Sequence, residues 1–184
     1  MPHYILFSGH MIDKPGRPDA RFPAPKATAA GEAIRNRLEK LLATAQPQDL
    51  QGIAAAACGG DILFHEACRD LHIPSEIYLA IPIQEFLKTS VEFANTNWST
   101  RYHNLTQTLP VHILHPDATT KAPSTIWEEA NNWMLDTALS AGSDHLTLIA
   151  LWDGNEGETG GTAHMIQVVQ DHHAATEIID TRGL

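Results

Sequence analysis

The stretch Ile53-Ala54-Ala55-Ala56-Ala57-Cys58-Gly59-Gly60-Asp61-Ile62-Leu63-Phe64-His65-Glu66 decides the fold. Its first five residues are small and apolar, as in a strand buried on both faces, and Gly59-Gly60 supplies a turn. From Asp61 to Leu71 the apolar residues recur at helical spacing, and Asp61 is the expected N-cap. A strand, a glycine turn and a helix in immediate succession make half of a βαβ unit, so the rest of the chain can be searched for its repeats.

They recur on both sides. Tyr4 to Phe7 is a continuous apolar run entering Ser8-Gly9-His10, and it reads as the first strand. Met11 to Lys26 carries four prolines together with Asp13, Arg17, Asp19 and Arg21, which excludes a regular helix and marks a long loop. Ala27 to Ala43 is amphipathic, with Ala30, Ala33, Ile34, Leu38, Leu41 and Leu42 at helical spacing and Arg35, Arg37, Glu39 and Lys40 on the other side. Beyond the deciding stretch, strands are expected at Glu76 to Ile81, Val111 to Leu114, Leu146 to Trp152 and Glu177 to Ile179. Helices are expected around Glu85, over Trp98 to Leu109, over Thr125 to Leu139, and from Thr162 to about Gln170 after a glycine-rich turn at Gly154 to Gly161.

Alternating strands and helices imply right-handed crossovers and an α/β domain: a three-layer, Rossmann-like, doubly wound and mostly parallel sheet. A chain of 184 residues fits one such domain over 1–184. Ligands of these folds sit at the carboxyl ends of the strands, near a topological switch point. The loops after Phe7, Ala57 and Trp152 are therefore the places to look.

Composition narrows the ligand. With 12 Lys+Arg against 22 Asp+Glu the formal net charge is −10, which opposes a nucleic-acid surface, because affinity for a phosphate backbone comes from neutralising it. The chain shows no apolar run of membrane-spanning length and no signal peptide, so a cytoplasmic protein without a membrane partner is expected. Cys58 and Cys68 are read as reduced, buried thiols. The histidines show no HExxH spacing, and neither a metal nor a cofactor is expected.

Each candidate loop places glycine at a helix start: Ser8-Gly9-His10, Cys58-Gly59-Gly60-Asp61 and Thr159-Gly160-Gly161-Thr162. Glycine admits close backbone approach, and a helix N-terminus offers unpaired donors at a positive dipole end, a combination that suits phosphate. Arg17 and Arg21, in the loop after the first strand, are candidates for a bidentate phosphate clamp; the alternative is a solvated loop. Trp127, Glu128, Asn131, Asn132 and Trp133 give a helix an aromatic and polar face, from which Asn131 can read a base edge or on which the indoles simply pack.

Taken in order, Ser8-Gly9, then Cys58-Gly59-Gly60-Asp61-Ile62-Leu63-Phe64-His65-Glu66-Ala67, then Gly160-Gly161-Thr162-Ala163-His164-Met165 resemble the three glycine motifs of the SLOG superfamily. That group joins the LOG phosphoribohydrolases, also called lysine decarboxylase-like, with DNA-processing protein A and nucleotide-sensing domains. The resemblance spans most of the chain and implies a Rossmann-like fold with a nucleotide or nucleotide derivative at Ser8, Gly9, His10, Gly59, Gly60, Asp61, Gly160, Gly161 and Thr162. The LOG pattern places a catalytic glutamate three positions after its motif threonine, and here that position is Met165. A thioether is neither acid nor base. Binding alone is thus the leading expectation. An N-glycosidic hydrolase using Asp13, Glu66, Asp153 or His164 is the alternative, and an oligomeric scaffold, a homo-oligomer built through the aromatic helix, is the third.

Overall fold

Along β1 (His3–Gly9), successive side chains leave the strand to opposite sides: Ile5 and Phe7 join one hydrophobic core, Leu6 the other. β5 (Leu146–Trp152) does the same, Ile149 and Leu151 facing the first core and Leu148 and Ala150 the second. Such strands must lie in the middle of a sheet covered on both faces, which is why they read as unbroken apolar runs. A computed structural model describes residues 1–119, 121, 125–155 and 161–184.

Four more strands complete the sheet: β2 (Leu50–Ala54), β3 (Ser75–Leu79), β4 (Val111–Ile113) and β6 (Ala175–Asp180). The order is β4-β3-β2-β1-β5-β6, and all described pairs are parallel. β1 pairs with β2 over His3↔Leu50 to Leu6↔Ile53, and with β5 over Tyr4↔Leu146 to Gly9↔Leu151. The chain winds outward from β1 to β4, returns across the sheet and winds the other way through β5 and β6. The order therefore reverses between β1 and β5, the switch point of a doubly wound sheet.

The first face is covered by α1 (Ala27–Leu42), α2 (Gly60–Asp70), α3 (Ile83–Ser90) and α4 (Thr96–Thr108), the second by α5 (Thr125–Leu139) and α6 (Thr162–Asp171). α1 buries Ala30, Ile34 and Leu38, one residue per turn. No helix among the described residues is long and apolar enough to cross a membrane.

Two boundaries differ from expectation around the deciding stretch. β2 ends at Ala54, not Ala57, because its ladder with β3 ends there, and the alanines beyond it leave the sheet. Their polar groups are met elsewhere: Ala57 N donates to Asp61 Oδ2 at 3.1 Å and Cys58 N to Ser90 O at 2.9 Å. Asp61 is consequently not the N-cap of α2. Gly59 is, with φ 108° and ψ −124°, and the Asp61 side chain turns back to the strand end.

The loop after β1 is well tied. His10 N bonds Leu151 O, Ile12 N bonds Cys58 O, and Asp13 Oδ2 accepts from both Arg21 N (3.0 Å) and Phe22 N (2.9 Å) while the Phe22 ring is buried. At its far end Thr181 Oγ1 donates to Arg21 O and Lys26 Nζ to Thr181 O.

Candidate active site at the switch point

Two hollows open at the carboxyl ends of β1 and β5. The larger, 380 Å³, is walled by the loop after β1 (His10, Met11, Ile12, Asp13, Lys14, Arg17, Arg21), by Trp152 at the end of β5, by Phe93, and by Gly161, Thr162 and Ala163 where α6 begins. The smaller, 150 Å³, is lined by Phe7 and Ser8 of β1, Ala55, Asp61, and Asn131 and Met134 of α5. Gly9, Gly161 and Thr162 belong to both walls, so the two compartments adjoin. A third hollow, of 480 Å³, lies at the β4 edge, lined by Leu114 to Thr119, Lys121 and Ile126, three strands from the switch point. It lacks the concentration of charge found here.

That concentration is cationic. Lys14, Arg17 and Arg21 supply three of the chain's 12 basic residues within eight positions, and all three border the larger hollow. Arg17 Nε donates to Asp19 O at 2.9 Å and stands 3.6 Å from Asp13 Oδ1. Arg21 Nε is buried with no hydrogen-bond partner among the described residues. Lys14 Nζ lies 5.2 Å from the centre of the Phe93 ring. Opposite them lies the start of α6, whose N-cap Gly161 offers no side-chain cap, and Gly161, Thr162 and Ala163 line the same space at the positive end of the helix dipole.

His10 and Asp153 pair behind this wall, Nε2 to Oδ1 at 3.0 Å. Burial lowers the His10 pKa against the pull of Asp153, and nearby Arg21 lowers it further. Burial raises Asp153, but hydrogen bonds from Asn155 and His10 outweigh it and hold the carboxyl at about 2. The pair is therefore a carboxylate and a neutral imidazole at pH 7, with Nε2 lying 3.0 Å from Asp153 Oδ1 and 3.2 Å from the Asp153 amide. Asp61 behaves oppositely: burial lifts its carboxyl to about 7, offset in part by the Ala57 amide.

The binding residues expected from sequence divide. Ser8, Gly9, His10, Arg17, Arg21, Asp61, Asn131, Gly161 and Thr162 line one hollow or both, and Ser8 Oγ donates to Thr162 Oγ1 at 3.2 Å. Gly160 lies outside the described residues. Gly59 and Gly60 line neither hollow. A Cβ on Gly59 would stand 2.8 Å from Ile12 N and 2.9 Å from His10 O, and one on Gly60 2.9 Å from the Phe7 ring. Gly60 N bonds His10 O. Glycine is needed there so that the loop after β1 can lie directly on the start of α2.

The expected catalytic residues do not converge. Asp13 reaches the larger hollow but is held by two backbone amides. Glu66 forms a two-point ion pair with Arg101, whose guanidinium stacks 4.0 Å over Trp98. Asp153 is 3% exposed and bound to His10, and His164 lines neither hollow. Met165 is 2% exposed in the second core, so its position in α6 points into the protein.

Of the aromatic helix face, Trp133 packs 4.6 Å from Tyr78 and Trp127 6.0 Å from Phe86, the packing alternative; Asn131 alone reaches the site. Sequence reading missed Lys14, Phe93 and Trp152. Trp152 ends a central strand and was findable by that rule, whereas Phe93 is brought in by the turn after α3 and carries no local signal. Among the described residues no group of three His, Cys, Asp or Glu side chains is placed to hold a metal.

No protein-family model matches the chain, and no curated protein does. Among solved structures, the X-ray structure of DNA processing protein A from Streptococcus pneumoniae aligns with 98% of this chain at 8% identity and a TM-score of 0.45; the chain spans 59% of that protein's length. The fold assignment rests on the strand order and layers of this chain.

Proposed function

We propose that the protein binds an anionic small molecule of nucleotide type across the carboxyl ends of β1 and β5. One observation carries this reading: Lys14, Arg17, Arg21 and the glycine N-cap of α6 border one hollow at the switch point. In a chain of net charge −10, such a focus attracts a compact anion while the surrounding surface repels an extended polyanion. Arg17 and Arg21 can each offer a planar pair of donors to phosphate oxygens, and the α6 amides approach from the other side. Phe93 and Trp152 present rings at the same hollow, suited to the face of a heterocycle. At 380 Å³ the space falls within the roughly 300–1,000 Å³ of small-molecule sites.

Binding without turnover fits the surroundings better than bond cleavage. Of the four acid or base candidates only Asp13 borders the hollow, and its carboxylate already serves the loop. A thermal-shift screen of nucleoside mono- and diphosphates, cyclic nucleotides, ADP-ribose and NAD tests the reading, since a ligand of the native state raises the melting temperature. A rise that disappears in Arg17→Ala/Arg21→Ala is expected. An unchanged rise in that variant, or none with any anion, contradicts it.

A further inference from the structure

The smaller compartment holds a carboxyl group in an unusual setting. Asp61 is 8% exposed and, among the described residues, has no cation beside it and makes one hydrogen bond, from Ala57 N to Oδ2. Oδ1 has no partner among the described residues, and the side chain lines the 150 Å³ space. A carboxyl held this deep, with one oxygen left to an enclosed compartment, is placed to accept from a ligand there. The space itself is bounded by the apolar Phe7 and Met134 and by the polar Ser8, Asn131 and Thr162. Its volume is below the ~300 Å³ at which small-molecule cavities begin, room for one ring system and not a whole nucleotide.

Resting on the nucleotide reading above, we propose that this compartment is the base-reading subsite, in which Asp61 Oδ1 accepts from the exocyclic amino group of an adenine-type base while the phosphate lies in the larger hollow. A ring entering past Gly9 and Gly161 would meet Oδ1 with its edge and the apolar walls with its faces. A base bearing a carbonyl at that position turns an oxygen lone pair toward the carboxylate and is rejected.

The discrimination depends on the proton on Asp61. Around it Ser8 comes from β1, Asn131 from α5 and Thr162 from α6, none of which titrates; Cys58 is nearby, its thiol pushed up to about 12 chiefly by burial. Burial holds the Asp61 carboxyl up to about 7. At pH 8.5 it is an acceptor only, and at pH 6 its O–H can donate to a carbonyl.

The test is the affinity of the intact protein for AMP and for IMP, which differ by amino against carbonyl, measured calorimetrically at pH 8.5 and pH 6. At pH 8.5 AMP is expected to bind roughly tenfold or more tightly than IMP, as sites built around a polar group discriminate, with the ratio shrinking at pH 6. Asp61→Asn should invert the preference, because its carbonyl keeps the Ala57 amide and its NH₂ faces the compartment. Equal affinities at pH 8.5, or an unchanged ratio in Asp61→Asn, overturn the subsite and leave the nucleotide reading standing. Failure of both nucleotides to bind at millimolar concentration overturns the two together.

Discussion

The starts of α2 and α6 carry almost the same sequence, Gly59-Gly60-Asp61 and Gly161-Thr162, and are put to opposite uses. At α2 the loop after β1 folds over the glycines, so that Ile12 N bonds Cys58 O and Gly60 N bonds His10 O. At α6 the N-cap Gly161 offers no side-chain cap, and both hollows abut it. Gly59 sits at φ 108°, a region closed to other residues, whereas Gly161 is extended at φ −80° and ψ −171°. A glycine before a helix thus signals close approach, but the approaching atoms can be the protein's own backbone as readily as a ligand's phosphate.

The largest effect expected from this contrast is on stability. Gly59→Ala forces a Cβ to 2.8 Å from Ile12 N at a glycine-only φ/ψ and should cost about 3 kcal/mol or more. Denaturant unfolding of the variant checks it, and a loss below about 1 kcal/mol would break the account of the α2 turn.

Asp61 comes next. The ordinary carboxyl value is 3.8 and the folded one about 7, so the unfolded chain ionises first as pH rises. Its contribution to stability is fully present below about pH 4 and is lost as the pH climbs to about 7. Asp61→Asn should therefore stabilise the protein by roughly 3 kcal/mol at pH 8.5 and by little at pH 4. Melting curves at the two pH values read the difference, and a gain independent of pH would refute the burial argument.

Arg17→Ala/Arg21→Ala should weaken nucleotide binding by roughly 10- to 100-fold, the worth of charge-assisted hydrogen bonds. Titration calorimetry measures it. The smallest stability effect belongs to Gly161→Ala: with an extended backbone and a half-exposed position, it should lie within about 0.5 kcal/mol. Gly59→Ala and Gly161→Ala differing in this way would sharpen the comparison, and equal losses would erase it.

The sheet was legible because its central strands are buried on both faces, so Tyr4 to Phe7 and Leu146 to Trp152 are unbroken apolar runs. The alanines at 55–57 misled because alanine fits a strand or a buried turn equally; what ended β2 was the length of its ladder with β3. Arg17 and Arg21 announced themselves as cations in a proline-rich loop. The sealing of Gly59 by Ile12, the pairing of Glu66 with Arg101 and the arrival of Phe93 all join residues at least 35 positions apart, and no local pattern encodes them.

What stands to be tested is that the phosphate of a nucleotide seats at the start of α6 and not at the glycines of α2. An amide NMR titration of the intact protein with AMP tests it residue by residue. The account predicts shifts at Gly9, His10, Gly161 and Thr162 with Gly59 and Gly60 nearly still. Shifts led by Gly59 and Gly60, or absent from the β1 and β5 ends, would contradict it.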